Sequence, residues 1–307
     1  MMKPLRRVAH TVTPGRAPYV LLLPFLLLFL VFGLFPLGFS LYLAFQSWEP
    51  TSGLGAMDYV GLSNFAFALQ DEWFWKSLKN TLWLALAAGL PQHLVAVPLA
   101  VALDGLFKRR RNAAVGLYFL PYITSTVAIA ILFSSLFSTD YGLINAALSH
   151  LPFWNPAAPI DWLNDPDAVK PAITLLVFWR FVGFNTVLYL AALQTIPRDL
   201  YEAATMDGAS RWRQFLHITL PGIKPMMLFG VTLSIIGGLQ LFEEPFVMTN
   251  GKGGSDQAGM TSAVYLYRTA FDFNDFGGAS AMSWLLLAVV ALLTWLTHKA
   301  FAAGRGA

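Results

Sequence analysis

The stretch Tyr19-Val-Leu-Leu-Leu-Pro-Phe-Leu-Leu-Leu-Phe-Leu-Val-Phe-Gly-Leu-Phe-Pro-Leu-Gly-Phe-Ser-Leu-Tyr-Leu-Ala-Phe45 carries no charged residue from end to end. About 20 such residues are enough to cross the hydrocarbon core of a bilayer. Water cannot satisfy backbone groups there, so the stretch must be helical. Lys3, Arg6 and Arg7 precede it as they would in a signal peptide. An h-region is only about 7–15 residues long, however, and Gln46, Ser47 and Trp48 follow where a small-residue cleavage site would be. The stretch reads as a retained first span.

The rest of the chain extends this reading. Of its 307 residues, 56% are hydrophobic and 12% charged, against about 25% charged in a soluble domain. Further apolar blocks lie at 78–103, 113–137, 171–194, 218–241 and 281–301, so the fold class is an all-α membrane protein with six transmembrane helices. Pro24, Pro36, Pro91 and Pro98 fall inside spans, where neighbouring helices re-satisfy the freed carbonyls. The chain has no cysteine, which excludes a disulfide framework and a thiolate metal site; no metal site is expected. A net charge of +3 is too small to suggest nucleic acid.

The loops orient the spans. Fourteen of the 20 basic residues, including Lys3, Arg6, Arg7, Arg16, Lys108 to Arg111, Arg198, Arg211, Arg213 and Lys299, fall on one side. Lys76, Lys79, Lys170, Lys252 and Arg268 fall on the other, with most of the acidic residues. The positive-inside rule then places both termini in the cytoplasm and the loops 46–77, 138–170 and 242–280 outside. This divides the chain into a cytoplasmic tail (1–18), a six-helix transmembrane domain (19–301) and a second cytoplasmic tail (302–307). Trp48, Trp73, Trp75, Trp154 and Trp162 in the outer loops read as an interfacial aromatic belt. The segment 262–276 reads as an amphipathic surface helix that either belongs to this belt or faces an outer partner.

The loop Ile196-Pro-Arg-Asp-Leu-Tyr-Glu-Ala-Ala-Thr-Met-Asp-Gly-Ala-Ser-Arg-Trp-Arg-Gln-Phe-Leu-His-Ile-Thr-Leu-Pro221 is the most informative part of the chain. Asp199 with Glu202 spells a capping box. Ala203 and Ala204 favour helix. Gly208 suits the left-handed residue that ends one, and Ser210 starts the next. A short cytoplasmic helix at about 199–209 results, with small residues that allow another protein to approach and a carboxylate, Glu202, for an arginine on that partner.

Glu202, Ala203, Ala204, Asp207, Gly208, Ile218, Leu220 and Pro221 together resemble the EAA signature of ABC-importer permeases. Leu120-Pro121-Tyr122, Gly142-Leu-Ile-Asn145, Ala192-Leu-Gln-Thr-Ile-Pro197, Thr249-Asn250-Gly251 and Tyr267-Arg-Thr-Ala-Phe-Asp272 extend the resemblance to the MalF/MalG-like carbohydrate permeases. The first span, with its Leu-Pro-Phe and Phe-Pro-Leu runs, is more similar to the MalF-type member. The resemblance implies a type I ABC importer transmembrane domain whose loop helix is the coupling helix. It also implies a second permease subunit forming a heterodimer, two ATPase subunits that bind ATP and Mg, and an external solute-binding protein that delivers a sugar or polyol. This chain would bind no cofactor itself and would catalyse nothing, in keeping with the absence of a Gly-x-x-x-x-Gly-Lys phosphate loop. The implied location is a bacterial or archaeal cell membrane.

By the same resemblance the pathway positions are Tyr122, Thr126, Val177, Phe181, Phe184, Gly237, Gly238 and Leu241, of which Tyr122 and Thr126 keep sugar-binding chemistry. Trp179, Asn185 and Gln240 are neighbouring substitutes. Arg180 is the cation placed inside a span, which makes it a functional candidate. It either meets an anionic solute or pairs with a carboxylate or carbonyl at the outer gate. His93 reads as a core histidine, and Glu243 and Glu244 as outer residues meeting water. The rival reading is an ion-coupled secondary transporter, which needs carboxylates or broken helices at membrane depth; the expected span interiors are nearly free of Asp and Glu.

Overall fold

The computed structural model describes residues 17–106, 111–152 and 158–303. Most of the expected N-terminal tail, Lys108 to Arg110, Trp154 and the last residues of the C-terminal tail lie outside the described residues.

The first span is α1 (Ala17–Phe29), a π turn (Leu30–Leu34) and α2 (Phe35–Leu43). A two-residue ribbon follows, β1 (Gln46–Ser47) antiparallel to β2 (Asp58–Tyr59), with Gln46 opposite Tyr59. Then come α3 (Ser63–Gln70), α4 (Glu72–Leu106), α5 (Arg111–Ile123), α6 (Thr126–Leu136), α7 (Leu143–Leu148) and α8 (Val169–Leu193). The loop helices are α9 (Arg198–Met206) and α10 (Arg211–Gln214), joined through a π turn (Phe215–Thr219) to α11 (Leu220–Leu239). α12 (Glu243–Met248), α13 (Ser262–Phe271) and α14 (Phe276–Ala303) complete the order. Five helical segments are long and apolar enough to cross a membrane, and α5 with α6 makes a sixth when the bent pair is taken as one span.

That bend breaks the third expected span, 113–137, into two helices. The two halves meet at 90°. Pro121 removes one backbone donor, and Thr124 donates its hydroxyl to the Leu120 carbonyl at 2.8 Å, satisfying the end of α5 locally. Ser125 then turns extended (φ −53°, ψ 124°) and α6 starts in a new direction.

α4 and α8 pack together along the centre of the bundle. Ala88, Ala96, Ala100 and Ala172 are fully buried there, and small residues let helix axes approach where lipid supplies no hydrophobic drive. One core cluster gathers Leu84, Phe133, Ile173, Leu176 and Leu241 at one end of the bundle. A second gathers Val97, Tyr189, Leu190, Leu193 and Ile223 at the other. Polar pins fix the loop before α13: Asn80 donates to the carbonyls of Gln257 and Met260, both at 3.0 Å, and Ser262 N–H donates to Thr81 Oγ1 at 2.7 Å. α13 itself is tied to the α3–α4 junction by the Tyr265 hydroxyl, which donates to Asp71 Oδ2 at 2.5 Å. Burial, and then that bond, pushes the Tyr265 hydroxyl well above its usual range, so it remains a donor. In contrast, the first span buries none of its apolar window; Leu21 is 79% and Phe32 75% exposed.

Candidate functional site

Two groups of candidate residues stand out. The first is the prong formed by α9. None of its residues is buried, and Leu200 and Met206 are 51% and 88% exposed. Glu202 and Ala203 face outward beside them. The helix ends in a Schellman motif: Ala209 N–H donates to the Ala204 carbonyl at 2.8 Å and Gly208 sits at φ +75°, the left-handed conformation that glycine adopts without a Cβ penalty. Ser210 caps α10 by accepting from Arg213 N–H. The N-terminus differs from the expected capping box. Pro197 occupies the cap position, and Asp199 lies inside the first turn without a side-chain cap bond. There its carboxylate still complements the helix dipole.

The prong is braced rather than loose. Tyr201 hydroxyl meets Thr219 Oγ1 at 3.0 Å, and Gln214 Nε2 donates to Thr205 Oγ1 at 3.0 Å and to the Ala209 carbonyl at 3.2 Å. Thr219 closes the π turn that holds Ile218, and Leu220 and Pro221 open α11. Leu220, Ile196 and Phe215 pack on the core cluster of Val97, Tyr189 and Ile223. The bonds of Tyr201, Thr205, Gln214 and Thr219, none of them a signature residue, tie the surface helix to the turn that leads into α11.

The second group lies at membrane depth. Tyr122 stacks on Phe184 with ring centroids 4.4 Å apart, and Phe181 and Phe119 close the cluster at 5.8 and 5.5 Å from Tyr122. Thr126, at the start of α6, lies just beyond the bend. Phe181, Val177, Gly237, Gly238 and Leu241 line a neighbouring gap of about 30 Å³ between α4, α8 and α11, room for a water but not for a sugar. The remaining expected positions are scattered. Trp179 packs on Phe133 at 5.4 Å, Asn185 is 1% exposed, and Gln240 faces outward.

Arg180 Nη1 donates to Glu244 Oε1 at 2.6 Å, with side-chain exposures of 14% and 5%. The pairing is one of the two roles open to Arg180. It also corrects the expectation that Glu244 meets water. The helix ends at Gln240, Phe242 takes φ −127°, and α12 begins anew. Glu243 is thereby left outside while Glu244 turns inward. Deeper in the bundle, His93 Nδ1 meets the Tyr189 hydroxyl at 2.7 Å and Gln92 donates to Ser234 Oγ at 2.9 Å. This polar set spans α4, α8 and α11, and in sequence only its location inside apolar blocks marks it.

The family described as "Binding-protein-dependent transport system inner membrane component" matches residues 95–303. The chain belongs to this family of inner-membrane permeases. The permease is 35% identical over 290 residues to the arabinooligosaccharides transport system permease protein AraP of Bacillus subtilis, covering 92% of this chain and 88% of AraP. It is 36% identical over 283 residues to the lactose transport system permease protein LacF of Rhizobium radiobacter, covering 90% and 91%. The permease also superposes on a chain of a bacterial alginate ABC transporter solved with its alginate pentasaccharide-bound periplasmic protein. That match has a TM-score of 0.77, 26% identity and 92% coverage of both chains. It is a multi-pass permease with the helical architecture of that transporter, and not the catalytic component.

Proposed function

We propose that this permease, with a second permease subunit, forms the membrane pathway for a neutral sugar or oligosaccharide, and that α9 couples the pathway to an ATPase subunit. The observation that carries the reading is the braced prong. A short helix exposing Leu200, Glu202 and Met206 stands off the bundle, yet hydrogen bonds through Tyr201 and Gln214 join it to the base of α11. Such a lever transmits a push on α9 to α11. The sugar assignment draws on the names of AraP and LacF. ATP and Mg belong on the two ATPase partners, and an external solute-binding protein delivers the solute. The uncovered apolar surface of the first span suits membrane lipid and the second permease, and its Pro-Phe and Phe-Pro runs favour the MalF-type position. The pathway itself is read as Tyr122, Thr126, Phe181 and Phe184 near the bend, with Gly238 and Leu241 opposite. Two global states, each favoured by a different partner, would alternate access to it.

The test is co-purification with the neighbouring subunits, followed by ATPase and uptake assays of Glu202→Lys and Gly208→Val. Both variants are expected to insert normally and to lose most solute-dependent ATPase activity and uptake. Full uptake in both would remove α9 from the mechanism.

A further inference from the structure

At the end of the bundle away from α9 lies a cleft that neither the prong nor the aromatic cluster uses. It has a volume of about 610 Å³ and opens between α6, the turn after it, the segment before α8, and α12. Small-molecule sites fall in the range of about 300–1,000 Å³. Its walls mix apolar side chains such as Ile131 and Phe246 with a polar set unusual for the apolar α6: Ser134, Ser135, Asp140, Tyr141, Asn164 and Asn250 all line it. No Lys or Arg does so among the described residues.

The cleft is built on a fixed frame. Thr139 donates to Asp161 at 2.9 Å, which clamps the turn after α6 to the segment before α8, and Asn164 holds the same carboxylate from within that segment at 3.0–3.1 Å. A Cβ at Gly142 would lie 2.2 Å from the Ser138 carbonyl, so the turn closes only on glycine. On this frame Asp140 is exposed and Tyr141 is 75% exposed, presenting a carboxylate next to an aromatic ring. Ser134 and Ser135 direct their hydroxyl hydrogens to the carbonyls of Ala130 and Ile131, leaving oxygen lone pairs for a ligand.

Such a lining accepts hydrogen bonds and carries negative charge. We propose that the cleft is an outer subsite for a neutral, hydroxyl-rich solute. Sugar hydroxyls donate to Asp140 and the serine oxygens, the amide of Asn250 supplies a donor, and the Tyr141 ring packs on a sugar's apolar face. Two carboxylates repel an acidic sugar. A divalent cation is poorly served, because Asp161 is already engaged and calcium needs 6–8 oxygens. The proposal rests on the reading of this permease as a sugar pathway.

The test uses the full transporter. Uptake of arabinotriose, maltotriose, raffinose and trigalacturonate is measured first in cells. Saturation-transfer NMR then measures contact between each sugar and the complex in nanodiscs without binding protein. A neutral trisaccharide is expected to be imported and to give transfer, with affinity reduced about tenfold in Asp140→Asn, the scale of one hydrogen bond to a charged group, and also reduced in Tyr141→Ala, which removes the packing ring. Binding-protein docking to both variants should equal that of the native complex. If a neutral trisaccharide is imported but both variants keep native transfer, the subsite is wrong and the sugar reading stands. Docking lost in place of sugar contact would make the cleft a protein contact, again overturning the subsite. If none of the neutral sugars is imported, the sugar reading fails and the subsite with it.

Discussion

At the scale of the residue, the Arg180–Glu244 pair is the most exposed to a decisive substitution. Both groups are withdrawn from water, and Arg180 Nε has no hydrogen-bond partner, so Glu244 alone neutralises the guanidinium among the described residues. Removing one partner of a buried pair leaves an uncompensated charge at a cost of about 3–5 kcal/mol, whereas replacing both by apolar groups of similar volume is often neutral. Glu244→Gln is therefore expected to lower the melting temperature of the purified transporter clearly, and Arg180→Met with Glu244→Leu to restore most of the loss. A double variant no more stable than Glu244→Gln would show that the pair does not act as a unit. Sequence pointed to Arg180, because a cation inside an apolar block is conspicuous, and it admitted a carboxylate partner. Glu244 itself was hidden, since an unbroken helix through Leu241 carries both neighbouring glutamates into water. Only the break at Gln240 to Phe242 separates their faces.

At the scale of the element, the informative feature is where helices touch backbone to backbone. A Cβ at Gly183 in α8 would lie 1.7 Å from the Tyr118 carbonyl oxygen of α5. Backbone cannot rotate aside as a side chain can, so Gly183→Ala must push α5 away and carry Tyr122 from its stack on Phe184. Overpacking of this kind costs about 1–3 kcal/mol. We expect reduced thermal stability together with altered solute uptake. Gly116→Ala is the matched control, because nothing lies within 4 Å of its added Cβ and alanine gains about 1 kcal/mol of helix propensity over glycine. Equal melting temperatures for the two variants would refute the close-approach argument. Local chemistry made much of the element level legible beforehand: Gly208 at the end of α9 and Ser210 at the start of α10 follow from turn and cap physics alone. The 90° bend after Ile123 does not, since hydropathy is continuous across 113–137 and Pro121 alone is compatible with a straight, kinked or broken helix.

At the scale of the whole molecule, the distribution of basic residues makes a claim that helix packing cannot test, namely which end of the bundle faces the cytoplasm. α9 and the β1–β2 ribbon lie at opposite ends, because α4 and α8 each run once between them. The coupling proposal requires α9 to be inside with the ATPase, and the outer-subsite proposal requires Asp140 to share a side with the ribbon. The chain contains no cysteine, so single cysteines report on topology without background from this subunit. Met206 is 88% and Tyr59 76% exposed, and Tyr141 75%, so all three sites accept a label without disturbing the core. In intact spheroplasts expressing the permease subunits without the ATPase that α9 would seat on, a membrane-impermeant maleimide is expected to label Tyr59→Cys and Tyr141→Cys, and to label Met206→Cys only after permeabilisation. The opposite pattern would place the prong on the outer face, where no nucleotide-driven subunit can reach it, and both proposals would fail together. Labelling of Tyr59→Cys but not Tyr141→Cys in intact spheroplasts would leave the coupling proposal standing and remove the cleft from the solute's first contact.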